Sequence, residues 1–136
     1  DSSKINLNIL NGKVNLNQTK FINDKIGIIE LDNSYLFFEG DKLILNTDIL
    51  INIQNSKHLY SFLQTAKQFR KPIKSIFINL DYDFLANQIN FNLIKIDNAI
   101  GDNEILTILE EFNDMKNVNL NKSRRIVNKL FSAYEG

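Results

Sequence analysis

Hydrophobic and polar residues alternate along most of the first hundred positions of the chain. The stretch from Lys4 to Thr19, "KINLNILNGKVNLNQT", has apolar residues at every second position on both sides of Asn11-Gly12. This pattern predicts a β-hairpin with a tight turn at that dipeptide. The segments "KIGIIEL" (Lys25 to Leu31) and "SYLFFEG" (Ser34 to Gly40) predict two further strands, joined by a turn at Asp32-Asn33.

The longest alternation runs from Lys42 to Ile53 and predicts a strand well above the usual length. Because successive side chains of a strand point to opposite faces, its residues divide into two sets. One face carries Leu43, Leu45, Ile49, Ile51 and Ile53. The other face carries Ile44, Asn46, Asp48, Leu50 and Asn52.

The period changes after Ile53 and predicts a helix. Asn55 or Ser56 is the expected N-cap. The apolar positions then follow the helical spacing of i, i+3, i+4 and i+7: Leu59, Phe62, Leu63 and Ala66. The residue before Pro72 is biased away from the helical conformation, so the helix is expected to end by about Arg70.

A second long hairpin is predicted after Pro72, with its turn at Ala86-Asn87. Its first strand places one apolar stripe on a single face: Ile76, Ile78, Leu80, Tyr82 and Phe84. The returning strand continues this face with Ile89, Phe91 and Leu93. The alternation then slips to Ile94 and Ile96, which predicts a β-bulge or a strand that is apolar on both faces.

The last third of the chain has helical periodicity. Asp102 is the expected N-cap of a helix whose apolar stripe is Ile105, Leu106, Ile108, Leu109 and Phe112. A break is expected from Lys116 to Leu120, and Asn121 is the expected cap of a final helix. That helix would bury Ile126, Val127, Leu130, Phe131 and Tyr134. The whole pattern predicts an α+β fold: a mostly antiparallel sheet with long strands, one crossing helix and two C-terminal helices.

Composition narrows the possible functions. The chain has 136 residues, which is the size of one domain, and no stretch within it has the composition of a linker, so residues 1–136 are expected to form a single domain. The formal net charge is zero, whereas a nucleic-acid-binding domain usually carries a basic excess. The chain has no cysteine, which excludes thiolate metal sites. It begins with Asp1, and we expect it to be a fragment of a longer chain or a processed form.

The pair Asp81 and Asp83 is the most conspicuous candidate for chemistry. An Asp-x-Asp pair can hold a divalent metal, but it can also be the solvated face of a strand. Only Asn79 lies nearby as a further oxygen ligand, and a metal site needs more. His58 is the only histidine and has no recognisable nucleophile motif beside it. The five glycines are isolated, so no phosphate-binding loop is present. The sequence therefore predicts no catalytic residue, metal site or cofactor.

Two basic clusters have two open interpretations. One cluster consists of Lys67, Arg70, Lys71 and Lys74, and the other of Lys122, Arg124, Arg125 and Lys129. A basic amphipathic helix is able to contact anionic lipid headgroups. The alternative is that these basic residues form a solvated surface and interact electrostatically with the acidic residues of the preceding helix.

The amount of apolar β-surface is unusual for a small domain. Either the helices cover this surface as a core, or part of it lines a groove for an acyl chain. Lipid tails need apolar area rather than polar anchors, so a one-sided apolar sheet is a natural site for them.

The strand rhythm resembles the C-terminal region of the AsmA-like family of bacterial envelope proteins. The residues that carry the resemblance are "NGKVNLNQTKF", "IIELDNSYLFFEGDKLILNTDILINI" and "HLYSFLQTAKQFRKPIKSIFINLDYDF". They match a hairpin, long strands and a helix-then-strand passage, from about Gly12 to Ile96. The chain departs from the family pattern at Asn46 and Thr47, where the family often has glycine.

The resemblance implies a non-enzymatic periplasmic segment whose parent is anchored in the inner membrane and takes part in phospholipid transport and outer-membrane homeostasis. Its ligands would be phospholipid or fatty acyl chains, with no nucleic acid partner, and it would contact the membrane through other parts of the parent chain. The expected lipid-contacting residues are Ile76, Ile78, Leu80, Tyr82, Phe84, Ile89, Phe91 and Leu93. The second choice is Leu43, Leu45, Ile49 and Ile51. The main alternative is a structural or protein-interaction module with a fully covered sheet, and an enzyme acting through Asp81 and Asp83 is a more distant one.

Overall fold

The computed structural model of the chain describes residues 1–100, 103–113 and 119–134. Its architecture is one antiparallel sheet with helices packed on a single face, so the predicted α+β class is confirmed. The other face of the sheet has no helix against it among the described residues.

Nine strands make up the sheet within the described part of the chain. They are β1 (Ser2–Lys4), β2 (Asn8–Leu10), β3 (Lys13–Asn15), β4 (Thr19–Asn23), β5 (Gly27–Glu39), β6 (Lys42–Ile53), β7 (Ser75–Asp83), β8 (Gln88–Ile96) and β9 (Ala99–Ile100). Their spatial order is β1-β4-β5-β6-β7-β8-β9, and every pairing is antiparallel. The hairpin β2–β3 joins the sheet where β3 pairs with the second half of β5.

The first hairpin forms where the pattern predicts it, because Asn11 and Gly12 both take the positive φ that a tight hairpin turn requires. The strand before it is broken, however. Ser2–Lys4 pairs with β4, while the pairing partner of β3 begins only at Asn8. Between them, Asn6 is tied to Thr19 by two hydrogen bonds: its N–H donates to the threonine Oγ1, and its carbonyl accepts from that hydroxyl.

The turn predicted at Asp32-Asn33 is wrong. Strand β5 runs without interruption from Gly27 to Glu39, and a shift of register between Asp32 and Tyr35 marks a bulge. Asn33 takes a φ of +43°, which is a turn-like conformation, but the chain continues in the same direction. The unbroken strand β6 on one side keeps both halves of β5 in the same sheet.

The first helix, α1, spans Ser56–Leu63, and Asn55 is its N-cap, with its side chain accepting from the N–H of Lys57. It ends earlier than the sequence predicts. Gln64 adopts the left-handed conformation and its N–H bonds back to carbonyls of the last turn, which closes the helix. Ala66 therefore lies outside the helix, and a short 3-10 helix at Lys67–Phe69 follows it.

The faces of the second hairpin follow the prediction, with one exception. Ile76, Ile78, Leu80 and Tyr82 of β7 share a face with the apolar positions of β6. The returning strand contains the expected bulge, where the register shifts between the pairs Asn79–Leu93 and Leu80–Phe91. Because Leu93 pairs with Asn79, it lies on the polar face, and its placement with the apolar stripe was wrong.

Two helices complete the described chain. Helix α2 spans Asn103–Asn113 and helix α3 spans Leu120–Ala133. The cap predicted at Asp102 lies outside the described residues. Helix α3 is capped by Asn119 and not by Asn121, because the Asn119 side chain accepts from the N–H of Lys122.

The hydrophobic core lies between the helices and the part of the sheet that contains β7 and β8. It consists of Leu59, Tyr60, Ile73, Ile76, Ile94, Ile96, Ile105, Leu109, Phe112, Ile126, Leu130, Phe131 and Ala133. Tyr60 and Phe131 make an edge-to-face ring contact at 5.1 Å, which joins α1 to α3. The helices cover the sheet near β7 and β8 and leave the apolar face of β4 and β5 partly exposed, with Phe21 and Ile29 reaching solvent.

Candidate functional site: an apolar cleft between sheet and helices

A cleft of about 470 Å³ lies between the sheet and helices α1 and α3. Strands β4 to β8 form its floor, through Phe21, Asn23, Gly27, Ile29, Ile51, Ile76, Ile78, Phe91, Ile94 and Ile96. The two helices form its roof, through Leu59, Phe62, Leu63, Ile126, Val127, Leu130 and Phe131. Ile22 of β4, Ile26 of the turn after β4 and Asp1 complete the lining.

The side chains that line this cleft are almost all apolar. Asp1 and Asn23 are the polar side chains among the described lining residues. The cleft opens to solvent near Phe21, Ile29 and Phe62, which are 42%, 37% and 50% exposed. At the inner end, Ile76 and Ile126 are buried in the core.

The open side of the cleft exposes its apolar lining to water. Hydration of apolar surface is unfavourable, so an apolar ligand that displaces this water would stabilise the molecule.

Gly27 sets the position of the floor next to the end of β6. Its φ is +148°, and a Cβ atom placed there would lie 2.0 Å from the carbonyl oxygen of Asn52. The carbonyl of Ile26 accepts from the N–H of Gln54 at 2.8 Å, just before α1 begins. The start of β5 is thus held close to the chain that leads into the roof, and only glycine fits this approach.

The residues predicted to contact lipid divide into three groups. Ile76, Ile78 and Phe91 line the cleft. Leu80, Tyr82 and Ile89 lie on the same face of the sheet but outside the cleft lining, and Leu80 is buried. Phe84 lies just after β7, is 48% exposed and makes an edge-to-face contact with Tyr82.

The second-choice residues follow the same division. Ile51 lines the cleft, while Leu43, Leu45 and Ile49 lie on the same face outside it. Leu93, as described above, is on the opposite face. The apolar face therefore extends past the cleft as a surface of buried and partly buried residues.

Several lining residues were missed by the sequence interpretation. Phe21 lies on β4, a short strand beside Gln18 and Asn23 where the alternation is weak. Val127 and Leu130 were expected as core of the last helix, but nothing in their spacing shows that they face a cleft. Phe62 was placed on the apolar stripe of α1, and its half-exposed position follows only from where α1 crosses the sheet.

Of the two aspartates, Asp81 belongs to a polar network on the other face of the sheet. Asp81 accepts hydrogen bonds from the side-chain amides of Asn46 at 2.6 Å and Asn92 at 3.1 Å, one at each oxygen. Asp48 is engaged in the same way by Asn79 at 2.6 Å and Asn33 at 2.8 Å. These aspartate–amide bonds link β5, β6, β7 and β8 side by side and engage both oxygens of the Asp48 and Asp81 carboxylates.

Asp83 has a local structural role. Its carboxylate accepts from the backbone N–H groups of Leu85 and Ala86 and so closes the turn between β7 and β8. Within the described ranges, no three His, Cys, Asp or Glu side chains come together in a way that would hold a metal ion. His58 is exposed on α1.

Two tyrosines have raised pKa values. Burial raises the pKa of Tyr60, and the nearby carboxylate of Asp97 raises it further, while the hydrogen bond from its hydroxyl to the carbonyl of Lys71 acts in the opposite direction. Burial and Asp97 also raise the pKa of Tyr134. Neither tyrosine is among the residues that line the cleft.

Comparisons with protein-family models, with curated proteins and with solved structures gave no match to this chain. Among the described residues, no helix is long and apolar enough to cross a membrane.

Proposed function

We propose that this chain binds the acyl chain of a lipid in the cleft between its sheet and helices α1 and α3. The observation that carries the proposal is the continuous apolar lining of an open cleft of about 470 Å³. Ligand sites of small molecules commonly fall between about 300 and 1,000 Å³. The near absence of polar groups favours a ligand that needs apolar area, which is what an acyl chain offers.

The extent of the apolar face supports a role in guiding lipid rather than in changing it. Beyond the cleft, Leu45, Leu80 and Tyr82 continue the same face along the sheet. We further propose, from the strand rhythm, that the chain is an AsmA-like segment of the periplasm whose parent protein moves phospholipid between membranes. In this role the protein is not an enzyme, and the sheet face is its working surface.

The alternative function, an interaction module with a fully covered sheet, requires an occluded floor. Ile51 and Ile78 are only half-buried, and Ile29 is 37% exposed. The floor near β5 thus offers the open surface that the lipid proposal needs and the alternative does not use.

A matched pair of substitutions tests the proposal. Ile29→Trp adds bulk to the cleft from β5, and Leu50→Trp adds the same bulk to the polar face from the neighbouring strand β6. The two positions are almost equally exposed, at 37% and 36%. The readout is the affinity for a fluorescent fatty acid, together with mass spectrometry of lipid extracted from the purified protein.

We expect the wild-type protein and Leu50→Trp to bind the probe with similar affinity, and Ile29→Trp to bind at least about tenfold more weakly. Burial of a methylene group contributes about 0.8 kcal/mol, so displacing two methylenes from the cleft is enough for a tenfold loss. Equal binding by both variants, or no uptake by the wild-type protein and no extracted lipid, would contradict the proposal.

A further inference from the structure

The chain from Ser2 to Leu10 forms a free edge of the sheet. Strand β1 pairs with β4 and strand β2 with β3, and neither has a strand on its outer side within the described chain. Between them, the N–H and C=O groups of Asn6 both bond to the hydroxyl of Thr19 and so point inward. Because the backbone groups of an extended strand point to alternate sides, those of Ile5 and Leu7 point outward.

This edge is apolar and lacks the residues that usually keep a free strand from pairing. Ile5, Leu7 and Ile9 are 64%, 60% and 69% exposed. Positions 5–10 contain no charged residue and no proline, which are the residues that commonly protect an edge. At the other side of the sheet, β9 pairs with the end of β8, and the side chain of Asn113 on α2 accepts a backbone N–H of β8. The first edge is therefore a template for a further strand.

The sequence of the edge is symmetric about Leu7. It reads Ile5, Asn6, Leu7, Asn8 and Ile9, so the alternation is the same in both directions. An antiparallel pairing of two such strands about Leu7 places each isoleucine opposite an isoleucine and each asparagine opposite an asparagine. Leu7 then faces its own copy. Each apolar side chain thus meets an apolar side chain, and no like charges lie opposite each other within the segment.

We infer that two copies of this chain pair edge to edge through positions 5–9, in antiparallel register about a two-fold axis at Leu7. The outward backbone groups of Leu7 bond to those of its copy, and the outward groups of Ile5 bond to those of Ile9. This interface uses the same surface on both copies, so it closes as a dimer. The inference does not depend on the proposed acyl site.

The dimer joins the apolar faces of the two sheets. Ser3 is opposite Phe21 of the cleft, and Ile9 is opposite Val14 on the same face, so the odd-numbered residues of the edge lie on the apolar face. A two-fold axis perpendicular to the sheet keeps this face on the same side in both copies. The apolar faces of the two copies therefore form one continuous surface.

Single cysteines test the register, because the chain has no cysteine of its own. Leu7→Cys, Ile5→Cys and Ile9→Cys are oxidised mildly at equal concentration, and the disulfide-linked dimers are measured by non-reducing electrophoresis. In the inferred register the Cα atoms of the two copies of position 7 are about 5.5 Å apart, within the range of a disulfide. The two copies of position 5 are displaced along the strand by about 13 Å, which is too far.

We expect Leu7→Cys to form linked dimers at least about tenfold faster than Ile5→Cys or Ile9→Cys alone. A mixture of Ile5→Cys with Ile9→Cys should also link readily, because these positions face each other across the axis. Leu85→Cys is the control for chance encounters, since Leu85 is 65% exposed and lies at the turn after β7.

Sedimentation equilibrium tests the dimer without a covalent bond. Leu7→Lys places two lysines opposite each other and should raise the dissociation constant of the dimer by about tenfold or more. Leu85→Lys should leave it unchanged. Leu7 and Leu85 are 60% and 65% exposed, so neither substitution removes a buried side chain.

A wild-type protein that stays monomeric up to about 1 mM would overturn the inference. So would a dimer that persists unchanged in Leu7→Lys, or cross-linking that is equally fast at positions 5, 7 and 9. Faster linking of Ile5→Cys than of Leu7→Cys would show a different register and would overturn it as well.

Discussion

At the residue scale, Tyr60 connects the cleft to the stability of the molecule. It is 2% exposed, its ring packs against Phe131 in the roof, and its hydroxyl donates to the carbonyl of Lys71 at 2.5 Å. The single proline of the chain, Pro72, follows that acceptor directly. The phenol therefore holds the segment between α1 and β7 against the core.

The raised pKa of Tyr60 predicts a loss of stability at alkaline pH. The folded state keeps the neutral phenol, so its stabilising effect is complete below the ordinary tyrosine pKa of about 10 and is lost as the pH rises through the raised value. Urea unfolding between about pH 8 and pH 11 should show the free energy of unfolding falling at the alkaline end.

In Tyr60→Phe we expect the free energy of unfolding at neutral pH to be lower by about 1 kcal/mol, because one hydrogen bond is lost, and the alkaline fall to be smaller. Tyr35→Phe removes an exposed phenol on the polar face and should leave the neutral value unchanged. A steeper alkaline fall in Tyr60→Phe than in the wild-type protein would contradict this role.

Some single-residue features could be predicted from the sequence and others could not. The caps at Asn55 and the turn at Asn11-Gly12 were predictable, because each depends on local chemistry alone. The partnership between Ser34 and Thr47 was not. These two buried hydroxyls bond to each other across β5 and β6, and Thr47 interrupts an otherwise apolar stripe. Only the register of two distant strands brings them together.

At the scale of elements, Asn128 fastens the two helices of the roof. Its amide donates to the carbonyl of Leu63 at 2.8 Å, at the end of α1, and its oxygen accepts from the hydroxyl of Thr65 at 2.5 Å. Arg70 adds a bond from its Nε to the carbonyl of Thr65. The end of α1 is thus satisfied by a side chain from α3.

We predict that Asn128→Ala lowers the free energy of unfolding by about 1–3 kcal/mol, because two partly buried groups lose their partner. Hydrogen exchange should become faster at the end of α1. Ser132→Ala is the control, since its hydroxyl bonds only to Lys129 within the same helix. Equal effects of the two substitutions would show that Asn128 does not join the helices.

The elements themselves were mostly predictable, and their ends were not. Strand β6 spans Lys42–Ile53, as the alternation indicates. It pairs with β5 on one side and with β7 on the other along most of its length. The end of α1 at Leu63 was missed, because Gln64 takes the left-handed capping conformation that glycine usually adopts. The Asp32-Asn33 pair has the composition of a turn, and only the pairing with β6 reveals it as part of a bulge.

At the scale of the whole molecule, the two faces of the sheet differ in the chemistry of their side chains. One face carries a network of asparagine and aspartate side chains that joins the strands. The other is apolar, and the helices cover only part of it. The α+β class and the division of faces followed from the alternation of the strands. The cleft did not, because its volume depends on how far the helices stand from the sheet.

The measurement that tests the acyl site most directly is a titration of hexadecanoate followed by methyl NMR of the isoleucine side chains. The cleft is lined by Ile29, Ile51, Ile76, Ile78, Ile94, Ile96 and Ile126 among others, whereas Ile28 and Ile44 lie on the polar face. We predict saturable shifts of the cleft methyl signals and unchanged signals from Ile28 and Ile44. Shifts that are absent, or equally large on the polar face, would contradict the claim that the cleft binds an acyl chain.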